Sequence, residues 1–280
     1  MPLRSGVWRA LPVERATYYA RFIRDYESVR SAEGRGSTDS GYYLKLPFVD
    51  RSDRNAGQWK IRARTYSFLR QRLLPHISSI SQSRARILDI GAGNGWLSYR
   101  LALLGMTSVA IDLLTNDADG LGAAKHYDSH LRQPFLRMQA ESDRLPFSGS
   151  QFDAVIFNAS FHYSEDFSRT LSEALRCLRP GGTIIIADSP WYTREESGWR
   201  MLAERRSQFF NRFGIFSDSI CSQEFLTDQR LEQLAQNLGL RWERHTPFYG
   251  LRWALRPWIA KLKKQREPST FRIYVAKKPA

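Results

Sequence analysis

The chain has 280 residues and a formal net charge of +14, and 42% of its residues are hydrophobic. This length and composition suit one large folded domain, or a domain with an extension, and they exclude a disordered chain. No apolar run approaches the roughly 20 residues of a membrane-spanning helix. The two cysteines, Cys177 and Cys221, are far apart, which excludes a disulfide framework and argues against a zinc site.

The first 20 residues contain no apolar segment of the length found in signal peptides, which predicts a cytoplasmic protein. The positive charge is typical of proteins that bind a polyanion such as RNA or an acidic membrane surface. Arginine is spread along most of the chain, however, and a generally arginine-rich composition would give the same net charge.

Residues 1–80 are predicted to be mainly helical. Aromatic residues recur at helical spacing over residues 12–30, and a second helix is predicted from Gln58 to Leu74, with Pro75 at its end. Between these helices, Pro47 argues against a central strand. Tyr42 and Tyr43 are expected on a loop that could act as a lid.

From residue 85 onward, short apolar runs alternate with helical patterns. This alternation predicts an α/β fold, with a doubly wound and mostly parallel seven-stranded sheet that carries helices on both faces. A Pro-Gly-Gly sequence, residues 180–182, is expected to separate a helix from an apolar strand. The seven strand candidates are ARILDIG, SVAIDL, FLRMQA, FDAVIFN, TIIIAD, LRWERHTP and TFRIYVAKK.

A glycine-rich turn follows the first of these strands. Gly91, Gly93 and Gly95 come directly after Asp89 in the sequence LDIGAGNGW. Glycines at this place allow a tight turn and a close approach of backbone amides to a ligand. The G-x-G-x-x-G pattern of dinucleotide enzymes is not met, because Trp96 stands where its third glycine would fall.

The segment from about residue 85 to 190 resembles the class I S-adenosylmethionine-dependent methyltransferases, most closely their small-molecule and quinone methyltransferases. Four motifs carry the resemblance in order: LDIGAGNGWLS, the acid in VAIDL, ESDRLPFSGSQFDAVIFN and LRPGGTIIIAD. The resemblance implies a Rossmann-like methyltransferase domain over residues 81–280, preceded by an N-terminal helical cap over residues 1–80.

The resemblance also implies S-adenosyl-L-methionine as the cofactor and a set of residues that bind it. Asp89 would lie near the ammonium group of the methionine part, and Asp112 would accept hydrogen bonds from both ribose hydroxyls. Glu141 would approach the adenine amino group, although Asp143 is an alternative for this role. The cofactor-binding residues expected on this basis are Asp89, Gly91, Gly93, Asn94, Asp112, Leu113, Glu141, Ser142 and Asn158.

His162 and Tyr163 follow the predicted strand that ends at Asn158, where chemistry is expected. His162 is the candidate general base, because its unperturbed pKa is near neutral, and Tyr163 could orient a substrate hydroxyl. The alternative is that His162 caps a helix or packs beside the cofactor. Arg62 could meet the carboxylate of the cofactor or could be solvated. No metal site is expected.

The last two strand candidates are separated by a long insertion near residues 248–270. It contains Trp253 and Trp258 and several lysines, and residues 251–266 contain no acid. Tryptophan and basic charge together fit peripheral contact with a membrane or a nucleic-acid groove. The alternative is a partly buried helix that covers the substrate pocket with its lysines in water. Pro257 is expected to bend or break a long helix there.

These features predict an enzyme that transfers a methyl group from S-adenosylmethionine to an O, N or C nucleophile of a small molecule. Two other functions stay open. The first is an RNA methyltransferase that uses the basic surface, and the second is a cofactor-binding subunit without catalytic activity. The oligomeric state is not predicted.

Overall fold

The computed structural model describes residues 1–80, 84–214 and 219–279. The predicted boundary between cap and core falls at the first of the two internal gaps, so residue 81 lies outside the described residues. Within the described residues, nine strands form one sheet in the order β1-β2-β5-β4-β3-β6-β7-β9-β8. The strands are β1 (Leu3–Arg4), β2 (Val7–Arg9), β3 (Arg86–Ile90), β4 (Thr107–Asp112), β5 (Leu136–Gln139), β6 (Phe152–Asn158), β7 (Leu178–Ala187), β8 (Glu243–His245) and β9 (Ile273–Lys277).

The doubly wound, mostly parallel sheet is confirmed. The strands from β2 to β7 pair in parallel, while β9 pairs antiparallel with both β7 and β8. All seven predicted strands are present. Two further strands come from residues 3–9, where a short antiparallel pair adds to the sheet edge at β5. The first residues of the chain are therefore part of the sheet and are not helical.

The helices lie on both faces of this sheet. They are α1 (Val13–Ala32), α2 (Ser40–Lys45), α3 (Ala56–Phe68), α4 (Leu74–Ile80), α5 (Trp96–Leu103), α6 (Lys125–Asp128), α7 (Phe167–Cys177), α8 (Glu195–Phe213), α9 (Asp228–Leu238), α10 (Leu251–Ala254) and α11 (Arg256–Leu262). Within the described part of the chain, no helix is both long and apolar enough to cross a bilayer.

The sheet buries its two faces against separate hydrophobic clusters. Side chains alternate along each strand, so Ile87 joins one cluster while its neighbour Leu88 joins the other. The same alternation holds for Ile156 and Val155 on β6. Both faces of the central strands are therefore covered, which explains why their sequences read as continuous apolar runs.

Three local predictions were wrong. Tyr42 and Tyr43 do not lie on an exposed loop, because they are buried in α2 and pack edge to face on each other. Pro75 does not end the second helix. A π-helical turn over Leu69–Leu73 precedes α4, and Pro75 lies in the first turn of α4, where a missing N–H is tolerated. Residues 180–182 form an irregularity inside β7 and do not precede the strand.

Candidate functional site

The candidate site lies where the winding of the sheet reverses. The chain passes from β3 outward to β4 and β5, and then returns to β6 on the other side of β3. In open parallel sheets, ligands bind beyond the carboxyl ends of the strands at this position. A cavity of about 890 Å³ opens there, and it is lined by the loops after β3, β4 and β6 and by side chains from α1 and α3.

The glycines of the turn after β3 have different surroundings. Gly91 and Gly93 both adopt positive φ angles, of +72° and +54°. A Cβ atom on Gly91 would lie 2.2 Å from the Cβ of Ser160, so this glycine makes room for the loop after β6. A Cβ on Gly93 would approach no atom more closely than 3.5 Å, so the space beside Gly93 is open. Gly93 is therefore the better candidate for close approach to a ligand.

Asp112, at the end of β4, binds the backbone of the turn after β3 and of the loop after β4. Its Oδ2 accepts a hydrogen bond from Gly93 N at 2.8 Å, and its Oδ1 accepts one from Leu114 N at 2.8 Å. Each carboxylate oxygen can accept a second hydrogen bond, and the side chain lines the cavity. Burial raises the pKa of Asp112, while the two backbone donors oppose that shift. Two hydroxyl donors would stabilise its charged form further.

Asp89 is almost completely buried at the end of β3. Ser98 Oγ donates a hydrogen bond to its Oδ2 at 2.8 Å, and Ser98 in turn accepts one from Ser108. Burial raises the pKa of Asp89 to about 7. A ligand cation beside this carboxylate would favour its ionised form.

Asn94 and Leu113 contribute mainly to the shape of the cavity wall. Asn94 Nδ2 donates to Asp119 Oδ1 at 3.1 Å, and Asn94 Oδ1 accepts from the backbone of Trp96 at the start of α5. The carbonyl of Leu113 accepts a hydrogen bond from Gln139. The side-chain amide of Asn94 is thus engaged within the protein, and its expected contact with a cofactor stays a prediction.

Glu141 is buried and lines the cavity. Its Oε2 accepts hydrogen bonds from Arg15 Nε at 2.8 Å and from the Tyr19 hydroxyl at 3.2 Å, both on α1. Its Oε1 is buried and accepts no hydrogen bond from the described residues. Asp143 pairs with Arg169 at 3.1 Å. Both acids therefore pair with an arginine, and Glu141 retains one carboxylate oxygen without a hydrogen bond; Glu141, Ser142 and Asp143 all line the cavity.

Asn158, His162 and Tyr163 come together beyond the end of β6. The Oδ1 of Asn158 is buried and has no hydrogen-bond partner among the described residues. His162 is buried, and its Nδ1 lies 3.3 Å from Ser189 Oγ. Burial lowers the pKa of His162 to about 4, so the ring is neutral at pH 7 and is a weaker base than an ordinary histidine. Tyr163 packs edge to face on Tyr26 of α1.

The sequence analysis missed Asp188, which follows β7. Its φ angle is +51°, which is unusual for a residue with a side chain. Thr65 Oγ1 donates to its Oδ1 at 2.6 Å, whereas its Oδ2 is buried without a partner among the described residues. The sequence could have indicated this residue, because Asp188 follows the apolar run TIIIA and therefore lies at the same sheet edge as Asp89 and Asn158.

Arg62 of α3 lines the same cavity as an unpaired cation. Its guanidinium lies 4.9 Å from the centre of the Trp59 ring, and it forms no ion pair within the described part of the chain. Burial lowers the pKa of Arg62. An anionic group of a ligand would relieve the cost of burying this charge. No cluster of metal-binding side chains occurs among the residues that the structure describes.

Comparison with known proteins agrees with this geometry. Residues 88–186 match the family described as "Methyltransferase domain". An uncharacterized methyltransferase of Mycobacterium tuberculosis is 35% identical over 115 residues, which is 41% of this chain and 43% of that protein. The demethylmenaquinone methyltransferase of Beutenbergia cavernae is 36% identical over 110 residues, which is 38% of this chain and 42% of that protein. The matches therefore span less than half of these relatives.

The same fold occurs in a solved structure of phosphoethanolamine N-methyltransferase 2 from Haemonchus contortus, in complex with S-adenosyl-L-methionine. Its TM-score is 0.51 at 18% sequence identity, over 74% of this chain and 52% of that one. The predicted Rossmann-like methyltransferase fold is thereby confirmed. Residues 88–186 are thus similar to a methyltransferase domain, and the chain shares the Rossmann-like fold of that complex.

Proposed function

We propose that the whole chain transfers a methyl group from S-adenosylmethionine to an O, N or C nucleophile of a small-molecule acceptor. The observation that carries this proposal is the set of unsatisfied polar groups in one cavity. Glu141 Oε1, Asn158 Oδ1 and Asp188 Oδ2 are buried acceptors with no hydrogen-bond donor among the described residues, and Arg62 is a half-buried cation that forms no ion pair with any of them.

These groups complement the cofactor. S-adenosylmethionine presents hydrogen-bond donors at its adenine amino group, ribose hydroxyls and ammonium group, and one carboxylate. We propose that Glu141 accepts from the adenine amino group, that Asp112 accepts from the ribose hydroxyls, and that Arg62 pairs with the carboxylate. Asp89 would face the ammonium group, whose positive charge would offset the effect of burial on its pKa and favour the ionised carboxylate.

The remaining wall of the cavity would hold the acceptor. It includes the His162 and Tyr163 pair, Asp188, and the aromatic rings of Trp253 and Phe271. When bound, the sulfonium supplies a methyl group with a good leaving group, so alignment of the nucleophile contributes most of the rate. Neutral His162 would then position the acceptor, and a contribution as a base is expected to be small at pH 7.

The division into a cap over residues 1–80 and a core over residues 81–280 is also a proposal. Side chains of α1 and α3 line the cavity and support a covering role for the N-terminal segment. The cytoplasmic location stays a prediction.

Two experiments test the function. Calorimetry should show binding of S-adenosylhomocysteine and no binding of NAD, and the reverse result would exclude the proposal. A screen with radiolabelled S-adenosylmethionine should then transfer label to small molecules, with purified RNA as a parallel acceptor pool. Transfer to RNA alone would favour the RNA methyltransferase. Binding without transfer, restored by a second protein, would favour a non-catalytic subunit.

A further inference from the structure

A stripe of exposed apolar side chains runs along α10 and α11. Leu251, Leu255, Trp258, Ile259 and Leu262 are 74%, 52%, 70%, 43% and 85% exposed. Their spacing of three and four residues places them on one helical face. The two helices continue one path, because Leu255 N donates to Leu251 O at 2.9 Å and Ile259 N donates to Leu255 O at 3.0 Å. A contiguous apolar face of this kind marks an interaction site.

Positive charge accompanies this α10–α11 stripe. Arg252, Lys261, Lys263 and Lys264 are exposed, and none of them forms an ion pair with a residue that the structure describes. The sequence contains no acid between Leu251 and Arg266. An apolar stripe with unpaired basic flanks is complementary to an anionic bilayer, because the apolar side chains enter the acyl boundary while the bases meet the headgroups.

The opposite side of the same segment closes the candidate site. Trp253 stacks on Phe271 with ring centres 5.4 Å apart, and Ala260 is buried. Trp253 and Arg256 line the cavity. Arg256 also lies over the Trp253 ring at 3.9 Å. One helical segment therefore presents the stripe outward and forms part of the cavity wall inward.

We propose that the α10–α11 stripe docks this protein on the surface of an anionic phospholipid membrane, with the cavity beside the lipid. An acceptor dissolved in the membrane would then reach the cavity without crossing bulk water. This delivery of the acceptor rests on the proposed function. The docking itself does not depend on methyl transfer.

Flotation with lipid vesicles tests the docking. Vesicles of phosphatidylcholine alone are compared with vesicles of equal parts phosphatidylcholine and phosphatidylglycerol, at low and physiological salt. The wild type should bind the anionic vesicles, and added salt should weaken that binding. The variant Trp258→Ser/Leu262→Ser should lower the partition coefficient at least about tenfold. Each of Lys261→Gln and Lys263→Gln should lower it about fivefold.

A matched control removes apolar surface elsewhere. Leu103 and Leu104 at the end of α5 are 50% and 44% exposed, and neither lines the cavity. The variant Leu103→Ser/Leu104→Ser should bind vesicles like the wild type. Absence of binding by the wild type at low salt would overturn the proposal, as would equal binding by the Trp258→Ser/Leu262→Ser variant.

Two other partners of the stripe, a second copy of the chain and RNA, would give different results in these experiments. A wild-type dimer that Trp258→Ser/Leu262→Ser converts to a monomer would assign the stripe to a second copy and overturn membrane docking. Salt-dependent binding to RNA without binding to vesicles would overturn it too. Calorimetry with S-adenosylhomocysteine on the wild type and the stripe variants separates membrane docking from the proposed function. The stripe residues do not line the cavity, so the variants should bind the nucleoside like the wild type. Failure of the wild type to bind this nucleoside would exclude the proposed function alone.

Discussion

Replacing Asp112 with asparagine tests the proposed ribose contact with the smallest change in shape. In the structure, the two carboxylate oxygens of Asp112 accept hydrogen bonds from Gly93 N and Leu114 N, each at 2.8 Å. An asparagine side chain has only one acceptor oxygen. Its amino group would face one of these backbone donors and could not accept from a ribose hydroxyl.

The expected loss follows from the hydrogen bonds removed. One charge-assisted hydrogen bond to the ligand contributes about 1.5–3 kcal/mol, so the affinity for S-adenosylhomocysteine should fall roughly 10- to 150-fold. The backbone N–H that loses its acceptor adds a cost of about 1–3 kcal/mol. Part of this cost lowers the stability of the ligand-free protein, because the turn after β3 is held less firmly, and the rest lowers the affinity for the ligand.

Isothermal calorimetry with S-adenosylhomocysteine measures the affinity, and thermal unfolding without ligand measures the stability. The control is Asp117→Asn, which changes an exposed acid of the next loop that pairs with Lys125 at 2.6 Å and should leave the affinity unchanged. If Asp112→Asn is as stable as the wild type and binds the nucleoside within about threefold of its affinity, the ribose assignment is refuted.

Three further predictions concern stability. Gly91→Ala should lower the free energy of unfolding by more than about 3 kcal/mol, because its Cβ would lie 2.2 Å from Ser160, whereas Gly105→Ala has open space and should cost about 1 kcal/mol for its positive φ. Urea unfolding that gives equal losses would contradict this. Asp89 has a folded pKa of about 7, above its unfolded value of about 3.9, so the folded protein binds the additional proton and loses stability as pH rises from about 4 to 7. Asp89→Asn should remove this loss, by up to about 4 kcal/mol at pH 8 and little at pH 4, in denaturant titrations of the ligand-free protein. His162 has a folded pKa of about 4, below its unfolded value of about 6.5, so its contribution is complete above pH 6.5 and is lost as pH falls toward 4. His162→Gln should flatten the stability profile in that window, and an unchanged slope would show that the ring is not buried in its neutral form.

The central strands and the turn after β3 could be predicted from the sequence because their signals are local. Each central strand is a short apolar run, and it is bounded by a glycine, an acid or an asparagine at its carboxyl end. Asp89, Asp112 and Asn158 share one sheet edge because parallel strands end on the same side. The grouping of these polar side chains at one edge of the sheet can therefore be predicted from the order of strands and helices in the sequence.

Other features depend on contacts between distant residues and leave no local pattern. The strands β1 and β2 contain two and three residues; β2 pairs with β5, and β1 pairs with β2. Arg15 and Glu141 are far apart in the sequence, and nothing in either segment indicates their pairing. The burial of Tyr43 was also unexpected, because a tyrosine-rich segment between turn residues resembles an exposed loop until α2 packs against the core.

The cavity is lined by residues from distant parts of the described chain, among them Tyr19 and Arg30 of α1 and Phe271 near β9. During synthesis, the nucleotide loops after β3 and β4 leave the ribosome long before Phe271 does. A nascent chain would thus carry the recognition motifs while the pocket still lacked a wall. Ligand affinity therefore depends on folding of the C-terminal segment that contains Phe271. A truncation before Phe271 would impair ligand binding although the glycine-rich turn and Asp112 stay unchanged.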